Sequence, residues 1–441
     1  AEGQDGRLWY GGESGLGRID RSSGRSSFVA HDPEDPRGLA AGSVTALLED
    51  SDGRLWVGTM DAGLQSLGSD GASFDTRSLA PGQLFVPIVA ERNGHEFIGA
   101  AYDAGAALHL TSEPDDFRRS HTAIEVADTA RALMQLAEVA RRRSVATVVG
   151  VTGSVGKTST KDLIAAACST QRRTTANERS FNNEQGLPIT ILNAPDDAEL
   201  LVLEMGMRGF GQITELCEIA RPDIGVVTAV GYSHTELVGG IEGVARAKRE
   251  LVEALPAAGT AVLNADDDRV VAMARHTGAD VVTYGVGGEV RIADLVLDEL
   301  ARPRFVIHTP WGSAPVELAV SGEHMARNAA AAIAVTGVAG VDLGAAVGGL
   351  ADAAVSGMRM EITQLSNGAT VINDAYNANP TSMAAALDSL VAMDAERRFA
   401  VLGLMGELDD PGEGHRDVAR QAEGHGIHLI ATGTDLYGVR P

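Results

Sequence analysis

The chain has 441 residues, 44% of them hydrophobic, and this composition predicts two or three folded domains and excludes a largely disordered protein. It carries 60 acidic and 36 basic residues, which give a formal net charge of −24 at pH 7. A surface of that sign repels nucleic acid and anionic membranes, so we expect neither as a partner. No apolar run reaches the ~18 residues of a membrane span, and the start lacks the pattern of a signal peptide.

The first part of the chain contains an internal repeat. GRLWYGGESGLGRID at 6–20 returns as GRLWVGTMDAGLQSLG at 53–68, which places Trp9 and Trp56 47 positions apart. Short strands and Asp-Gly turns at such a period are typical of β-propeller blades, and the repeat resembles the two-component-regulator propeller family. Residues 1–71 hold about one and a half blades, too few to close a ring, so we expect a short all-β fragment without a ligand of its own. The sequence also begins without methionine, and we expect it to be part of a longer protein.

From Ala72 onward, strand-like apolar runs alternate with helical stretches. The runs are TVVGVTG, LLVLEMG, IGVVTAV, TAVLNAD, ATVINDA, FAVLGLM and HLIATGT, and the helical stretches include 157–170, 241–255, 324–339 and 381–393. This alternation predicts an α/β fold with a doubly wound parallel sheet. The two cysteines, Cys168 and Cys217, fall in helical stretches and outside any metal-binding motif, so we expect a reducing, cytoplasmic setting.

The segment VVGVTGSVGKTSTKDL at 148–163 has the order strand, glycine-rich turn, helix. In such a turn the backbone N–H groups and the positive end of the helix face phosphate oxygens. Lys157 can then reach the β- and γ-phosphates, and the Thr158 hydroxyl can bind Mg²⁺. The first position of the general pattern is Val151 instead of glycine, and a chance turn is the alternative. We predict an ATP or GTP site formed by Thr152, Gly153, Ser154, Gly156, Lys157, Thr158 and Ser159.

Further motifs follow this turn in a fixed order. They are SFNNEQGLP at 180–188, LVLEMGMRGFGQITELCEIARPDIGVVTAVGYSH at 201–234, EGVARAKRELVEAL at 242–255, SGEHMARNAAAAIAV at 321–335 and NGATVINDAYNANPTSM at 367–383. Together with the turn they resemble the Mur ligases, and within them the MurF type. The resemblance covers about 73–441 and implies three domains: an N-terminal UDP-sugar-binding domain at 72–145, a central ATP-binding domain at 146–356 and a C-terminal ligase domain at 357–441.

The resemblance also implies a reaction. A MurF-type enzyme uses ATP and Mg²⁺ to join D-alanyl-D-alanine to UDP-MurNAc-tripeptide through an acyl phosphate. Activating a carboxylate with the γ-phosphate requires cations around the transferring group, because phosphoryl transfer is mostly positioning and charge neutralisation. The small substrates would be the only partners, and we expect a monomer.

Three residues match family positions that contact metal ions. Glu204 ends a buried-looking strand, where a carboxylate is unfavourable unless it binds something, although it could instead face water. His234 follows the next strand and matches a metal-contacting histidine; a solvated loop histidine is the alternative. Lys248 would be a surface lysine from the sequence alone, but the resemblance implies a carbamylated lysine that helps to hold a second Mg²⁺.

The nucleotide site continues in the later motifs. By resemblance, Asn328, Asp374, Tyr376 and Asn377 face the nucleotide, while a turn-rich loop capping its own backbone is the alternative. Arg359 matches a family arginine between the central and C-terminal domains that reaches a phosphate; the alternative is a surface arginine that packs its stem.

The remaining matches concern the acceptor substrate. The predicted substrate-binding residues are Asp75, Thr76, Arg77, Gly94, His95, Asn182, Asn183, Asn379 and Glu407, with plain turn chemistry as the alternative. Three departures stand out. Propeller-like sequence replaces the family's first strand and helix, so we expect the N-terminal domain to be incomplete. The chain stops at GTDLYGVRP, so we expect a truncated C-terminal domain, and Leu404 stands where an aspartate is usual.

Two other functions compete with this interpretation. One is a related ligase that adds a single amino acid or glutamate, as in folylpolyglutamate synthesis. The other is a non-catalytic propeller sensor joined to an inactive ligase. The joint presence of Lys157, Glu204, His234 and Lys248 argues against a decayed site.

Overall fold

The computed structural model describes most of the chain, and its residues group into two compact units. The described residues are 7–12, 15–20, 26–30, 44–49, 55–59, 63–67, 71–113, 123–178, 181–232, 235–406, 408 and 410–439. Unit 1 comprises Ala1–Ala146 and Phe181–Ala198, and unit 2 comprises Thr147–Ser180 and Glu199–Pro441. The domain boundaries given above stay predictions. Among the described residues, no helix is long and apolar enough to cross a membrane.

The repeat region forms only β-strands where it is described. They are β1 (Arg7–Gly12), β2 (Gly15–Asp20), β3 (Ser26–Ala30), β4 (Val44–Glu49), β5 (Leu55–Thr59) and β6 (Gly63–Leu67). Two antiparallel sheets result, with the orders β1-β2-β3 and β4-β5-β6. The two copies of the repeat fall on equivalent hairpins, β1-β2 and β5-β6, so the expected all-β character of this fragment is confirmed.

The rest of unit 1 is a small parallel sheet with helices. Its strands are β7 (Ala72–Ser73), β8 (Leu84–Phe85), β9 (Leu108–Thr111) and β10 (Ala123–Glu125), in the order β10-β9-β8-β7. A 3-10 helix (Gly94–Phe97), α1 (Ile98–Asp103) and α2 (Thr129–Arg143) connect and cover them. Leu84, Leu108 and Leu133 share one apolar core with Ile189, which explains why residues 181–198 belong to this unit.

Unit 2 is built around a nine-stranded sheet. In chain order its strands are β11 (Thr147–Thr152), β12 (Thr174–Ala176), β13 (Leu200–Glu204), β14 (Ile224–Val227), β15 (Thr260–Asn264), β16 (Asp280–Gly285), β17 (Val290–Leu297), β18 (Pro303–Thr309) and β19 (Gly312–Glu317). The spatial order is β12-β13-β11-β14-β15-β16-β17-β18-β19. The pairs from β12 to β17 are parallel, and β18 and β19 add an antiparallel edge.

Helices cover both faces of this sheet. The helices in this part of the chain are α3 (Lys157–Ser169), α4 (Gly186–Leu192, in unit 1), α5 (Gln212–Ala220), α6 (Thr235–Val238), α7 (Ile241–Glu253), α8 (Asp268–Val271), a 3-10 helix (Ala272–His276), α9 (His324–Val338) and α10 (Leu343–Ala351). Val149 and Val151 of β11 share a core with α3 and the alanine-rich α9. The intervening Gly150 points to the opposite face, where a Cβ would lie 2.9 Å from Leu251 Cδ1 of α7. The predicted doubly wound sheet is therefore confirmed.

The last part of unit 2 contains two small sheets and two helices. They are the antiparallel pair β20 (Glu361–Gln364) and β21 (Thr370–Asn373), α11 (Pro380–Ala392), and the parallel pair β22 (Phe399–Leu402) and β23 (His428–Ala431), joined by α12 (Pro411–Gly424). Leu387, Ala400 and Val418 share one core, so α11 and α12 pack on the second pair.

The predicted helices match α3, α7, α9 and α11 to within two residues at each end. All seven predicted strands exist, but one sheet does not hold them all. ATVINDA forms β21 in an antiparallel hairpin, and FAVLGLM and HLIATGT form the separate pair β22-β23. Periodicity identifies strands but not their partners, which explains this error.

Candidate active site

Residues 153–156 form the turn between β11 and α3, and glycines allow its shape. Gly153 and Gly156 have φ of +152° and +81°, which L side chains rarely adopt. A Cβ on Gly153 would lie 1.8 Å from Thr228 Oγ1, and that hydroxyl donates to the Val155 carbonyl at 2.6 Å. Thr228 thus holds the turn against the end of β14, and only glycine fits beside it.

Hydroxyl groups fix the turn to its neighbouring loops. The Thr152 hydroxyl donates to the Met205 carbonyl at 2.8 Å, and the Ser154 hydroxyl donates to the Gly231 carbonyl at 3.0 Å. The Ser154 N–H also donates to the Ala229 carbonyl at 2.8 Å. These two hydroxyls therefore shape the turn, and their predicted part in nucleotide binding stays a prediction, as does that of the buried Ser159.

Lys157 begins α3 and reaches back across the turn. Its Nζ donates to the Gly153 carbonyl at 2.9 Å. Burial lowers the pKa of Lys157; nearby Glu204 raises it, and Arg359 lowers it further. The lysine therefore lies among charged groups at the N-terminal end of a helix, where an anion is electrostatically favoured.

Glu204 lies buried at the carboxyl end of β13. Its Oε2 accepts a hydrogen bond from the Thr158 hydroxyl at 2.6 Å, and its N–H donates to Asn177 Oδ1 at 2.8 Å. A hydroxyl and a carboxylate side by side are the hard oxygen ligands that Mg²⁺ prefers, so this pair fits the predicted metal. Within the described ranges, no group of three His, Cys, Asp or Glu is placed to hold a metal ion, and His234 lies outside those ranges.

Lys248 is a second buried lysine at this end of unit 2. It lies on α7 and is 2% exposed. Burial lowers the pKa of Lys248 well below its usual value, and the charge of Lys157 lowers it further. Burial therefore shifts Lys248 towards the neutral amine relative to an exposed lysine, and the surface lysine suggested by the sequence alone is wrong.

Arg359 lies in the segment that leads to β20, and Asp374 lies in the loop after β21. The Arg359 guanidinium lies 4.1 Å from the centre of the Tyr376 ring. Asp374 Oδ1 accepts the Met360 N–H at 3.1 Å, and burial raises the pKa of Asp374 to about 6, although Arg359 opposes this. The Tyr376 ring covers one face of the Arg359 guanidinium, and the N–H groups at the edge of the guanidinium can then bind an oxyanion.

The asparagines of the predicted nucleotide site differ in their surroundings. Asn328 of α9 borders the turn, since a Cβ on Gly156 would lie 2.8 Å from its Oδ1. Asn377 Oδ1 accepts the neighbouring Ala378 N–H at 3.0 Å. Asn379 is the N-cap of α11 and exchanges hydrogen bonds with Ser382 in a capping box. The loop thus uses Asn377 and Asn379 for its own backbone, and their ligand roles stay predictions.

Unit 1 contains most of the predicted acceptor-binding residues. Asp75 accepts hydrogen bonds from the guanidinium and the main chain of Arg77, and these lower the pKa of Asp75.

Asn183 Oδ1 accepts the Gly186 N–H at 3.0 Å at the start of α4. Thr76 and Asn182 are half-buried in the same unit, and the Phe74 and Phe181 rings beside them lie 5.7 Å apart. Glu407, which falls in unit 2, lies outside the described residues.

The Gly94-His95 pair shapes the loop before α1. A Cβ on Gly94 would lie 2.5 Å from the Ile88 main-chain nitrogen. His95 Nε2 accepts the Ser112 N–H at 3.1 Å, and Nδ1 lies 2.9 Å from Asn93 Oδ1. Both ring nitrogens serve the fold, and the predicted substrate contact stays a prediction.

Sequence reasoning missed the residues that support this site. Thr228 follows an apolar strand and Asn177 follows a short one, so polar side chains at strand ends were the available signal. Lys161 gave no such signal, because a lysine in a helix is usually exposed; here 3% of its side chain is exposed.

Comparison with known families defines the class of protein to which this fold and site belong. The Mur ligase middle domain matches residues 151–336, and the Mur ligase glutamate ligase domain matches residues 358–440. The two component regulator propeller matches residues 38–61. The chain belongs to the Mur ligase family.

Within that family, two similar relatives carry the same name. The chain is 41% identical over 370 residues to the UDP-N-acetylmuramoyl-tripeptide–D-alanyl-D-alanine ligase of Mycobacterium tuberculosis, a match that covers 76% of this chain and 72% of the relative. It is 38% identical over 348 residues to the ligase of the same name from Bacillus subtilis, covering 77% and 74%.

Solved structures agree with this assignment. The structure of MurF from Acinetobacter baumannii has a TM-score of 0.76 and 29% identity, covering 84% of this chain and 81% of that one. The MurF ligase of Thermotoga maritima in complex with ADP has a TM-score of 0.71 and 26% identity, covering 82% and 88%. The relatives and structures named here are all of the MurF type.

Proposed function

We propose that this chain uses ATP to join D-alanyl-D-alanine to UDP-MurNAc-tripeptide in peptidoglycan precursor synthesis. The observation that carries the proposal is the grouping of Lys157, the Thr158-Glu204 pair, Lys248 and Arg359 at one end of the central sheet. The similarity to MurF ligases supports this acceptor over a single amino acid or a folate.

The reaction begins with the terminal carboxylate of the tripeptide. That carboxylate attacks the γ-phosphorus of ATP, so a carboxyl oxygen–phosphorus bond forms as the bond to ADP breaks. The amine of the dipeptide then attacks the acyl carbon, loses a proton and displaces phosphate through a tetrahedral intermediate. The products are UDP-MurNAc-pentapeptide, ADP and phosphate.

The residues of unit 2 supply charge and position for this transfer. Lys157 and Arg359 bring two cations to the phosphates, where they neutralise the negative charge that develops as the bond to ADP breaks. Asn328 borders the turn, and Asp374 and Tyr376 fix the Arg359 segment. Tyr376 and Asn377 are exposed beside it and face the nucleoside in this proposal.

Mg²⁺ is the metal that the donor set fits best. Thr158 and Glu204 would hold one ion, and Glu204, His234 and Lys248 a second. The ions would neutralise phosphate charge. Lys248 would act as a carbamate: its neutral amine adds to CO₂ and releases one proton, which converts a buried amine into an anionic oxygen ligand.

The acceptor contacts belong mainly to unit 1 in this proposal. Asp75, Thr76 and Arg77 lie in a loop of its small sheet, Gly94 and His95 begin the 3-10 helix before α1, and Asn182 and Asn183 precede α4. Asn379 and Glu407 of unit 2 complete the predicted set. A UDP-linked precursor and ATP are cytoplasmic compounds, so we assign the enzyme to the cytoplasm, as a monomer.

The test is phosphate release from ATP and Mg²⁺ by the purified chain with UDP-MurNAc-tripeptide, with and without D-alanyl-D-alanine. We expect release that requires both substrates and falls at least about 100-fold in Lys157→Ala, because a charge aimed at the transition state is lost. Thermal melts check that this variant is folded.

Other acceptor amines separate the rival functions. Release with L-glutamate or a single alanine, and none with the dipeptide, would identify a related ligase. ATP binding without release under any combination would contradict the proposal and favour the inactive-ligase alternative.

A further inference from the structure

A buried network connects the Glu204 site to the segment that precedes Arg359. It begins at Lys161, four residues after Lys157 on α3. Lys161 Nζ donates to the Asn177 carbonyl at 2.6 Å and pairs with Asp162 Oδ1 at 2.7 Å. A buried ammonium is tolerated only with such partners, so these contacts fix the position of both acceptor groups.

Asn177 links this lysine to the predicted metal ligand. Its carbonyl accepts from Lys161, and its side-chain Oδ1 accepts the Glu204 N–H at 2.8 Å. Asn177 is 1% exposed, so water does not compete for these bonds. One end of the network therefore holds the main chain of Glu204, whose carboxylate meets Thr158.

At the other end of the network, Asp162 binds a residue that is distant in the sequence. Its Oδ2 accepts two hydrogen bonds of 2.8 Å from Ser356, one from the main-chain N–H and one from the hydroxyl. Ser356 lies in the segment between α10 and β20, three residues before Arg359. This contact spans 194 positions of sequence, and it anchors the segment to the helix that carries Lys157.

The backbone around Arg359 requires such an anchor. Met358 and Met360, on either side of it, have φ of +57° and +51°, unfavourable values for residues with a Cβ. Conformations of this kind persist only where the surroundings fix them, and they concentrate at functional sites. On the far side of Arg359, Asp374 holds the Met360 N–H. On the near side, Glu361 Oε2 accepts the Met358 N–H at 3.2 Å, and the two bonds from Ser356 to Asp162 hold the chain three residues before Arg359.

We propose that Asp162 and Ser356 are positioning residues for Arg359. They hold its segment against α3, so that the guanidinium meets the phosphates bound by Lys157 on the same helix. The proposal deepens the function proposed above and rests on it for the identity of the ligand. Ser356 acts through Arg359 and does not touch the nucleotide itself.

The experiment measures nucleotide affinity without turnover. The dissociation constant of a non-hydrolysable ATP analogue with Mg²⁺ is determined by calorimetry for the full chain and for Ser356→Ala, Arg359→Ala and the double variant. We expect Ser356→Ala to weaken binding about tenfold, the effect of losing one hydrogen bond to a charged group. In the Arg359→Ala background the same change should have no effect, because the residue it acts through is absent.

Controls separate this role from general stability. Ser356→Thr keeps the hydroxyl and should bind as the wild type does, and Ser366→Ala, in the exposed turn between β20 and β21, should change nothing. Hydrogen exchange of residues 357–361 in the ligand-free protein should be about tenfold faster in Ser356→Ala.

Three results would overturn the proposal: unchanged affinity in Ser356→Ala, equal loss with and without Arg359, or unchanged exchange. Failure of the proposed function has a different signature. In that case the wild type releases no phosphate from ATP with UDP-MurNAc-tripeptide, whether or not D-alanyl-D-alanine is present. The difference in hydrogen exchange between Ser356→Ala and Ser366→Ala nevertheless remains.

Discussion

Asp374 lies beside the predicted catalytic residue Arg359, and burial of its ionised carboxylate lowers the stability of the fold. Burial raises its pKa to about 6, above the ~3.9 of an unfolded aspartate. Between these values the folded protein binds the proton more tightly than the unfolded chain does. The free energy of unfolding therefore falls as the pH rises from about 4 to 6, and it stays lower at higher pH.

Asp374→Asn should remove this penalty. We expect the variant to be more stable than the wild type by about 1 kcal/mol at pH 8, a figure reduced for solvent screening of a half-buried group, and equal to it near pH 4. The amide oxygen can still accept the Met360 N–H. Urea unfolding at both pH values measures the difference, with the exposed Asp352→Asn as control. A variant less stable at pH 8 would show that the charged form is stabilised in the folded state.

Candidate site residues that belong to a short sequence motif could be predicted from the sequence. Residues that reach the site through contacts between distant segments could not. Lys157 and Thr158 belong to a motif whose spacing carries its own mechanism. Asp162 lies in the same helix, yet its partner Ser356 is 194 positions away. No periodicity encodes a pair at that separation, because the fold alone brings the two residues together. For the same reason, the burial of Lys161 and Lys248 emerged only from the structure.

At the scale of the elements, Gly150 shows how strand β11 and helix α7 fit together. A Cβ at this position would lie 2.9 Å from Leu251 Cδ1 and 3.2 Å from Met205 Sδ and Cε. Gly225 on the adjacent β14 meets Leu251 and Leu255 in the same way. Gly150, in the strand before the phosphate-binding turn, therefore serves packing of the sheet against α7.

Gly150→Ala should destabilise the protein by about 1–3 kcal/mol through overpacking. Leu251→Ala alone leaves a cavity, but in the double variant the two changes should partly compensate, which a double-mutant cycle detects. Gly209→Ala is the control, because a Cβ there has no neighbour within 4 Å. Additive losses in the cycle would mean that α7 does not adapt to the new methyl group.

Strand prediction succeeded for continuous apolar runs and missed strands that mix apolar with polar residues. β11, β13, β14 and β15 are continuous apolar runs, as expected for strands covered on both faces. β17 to β19 mix exposed and buried residues, and β17 and β18 pair with a register shift between Ala293 and Val296. Strands of this mixed pattern lack the continuous apolar run on which the prediction relied, and this explains why they were not predicted.

On the scale of the whole molecule, the chain has more than one apolar core. Leu84, Leu108 and Leu133 belong to a cluster confined to unit 1, and the core around Val149 and Leu163 is confined to unit 2. A ligand that binds only one folded unit should raise the midpoint of that unit's unfolding alone. Ligands can therefore assign each unfolding transition to a unit.

We expect calorimetry of the chain to show separate transitions for the two units. An ATP analogue with Mg²⁺ at 100 times its dissociation constant adds about 2.7 kcal/mol to unit 2, which corresponds to a rise of about 5 °C for a unit of this size. UDP-MurNAc should raise the other transition, and Lys157→Ala should abolish only the first shift. If both ligands raised one common transition, the units would unfold as a single cooperative body. If neither ligand raised either transition, the assignment of nucleotide and UDP-sugar sites to the two units would be wrong.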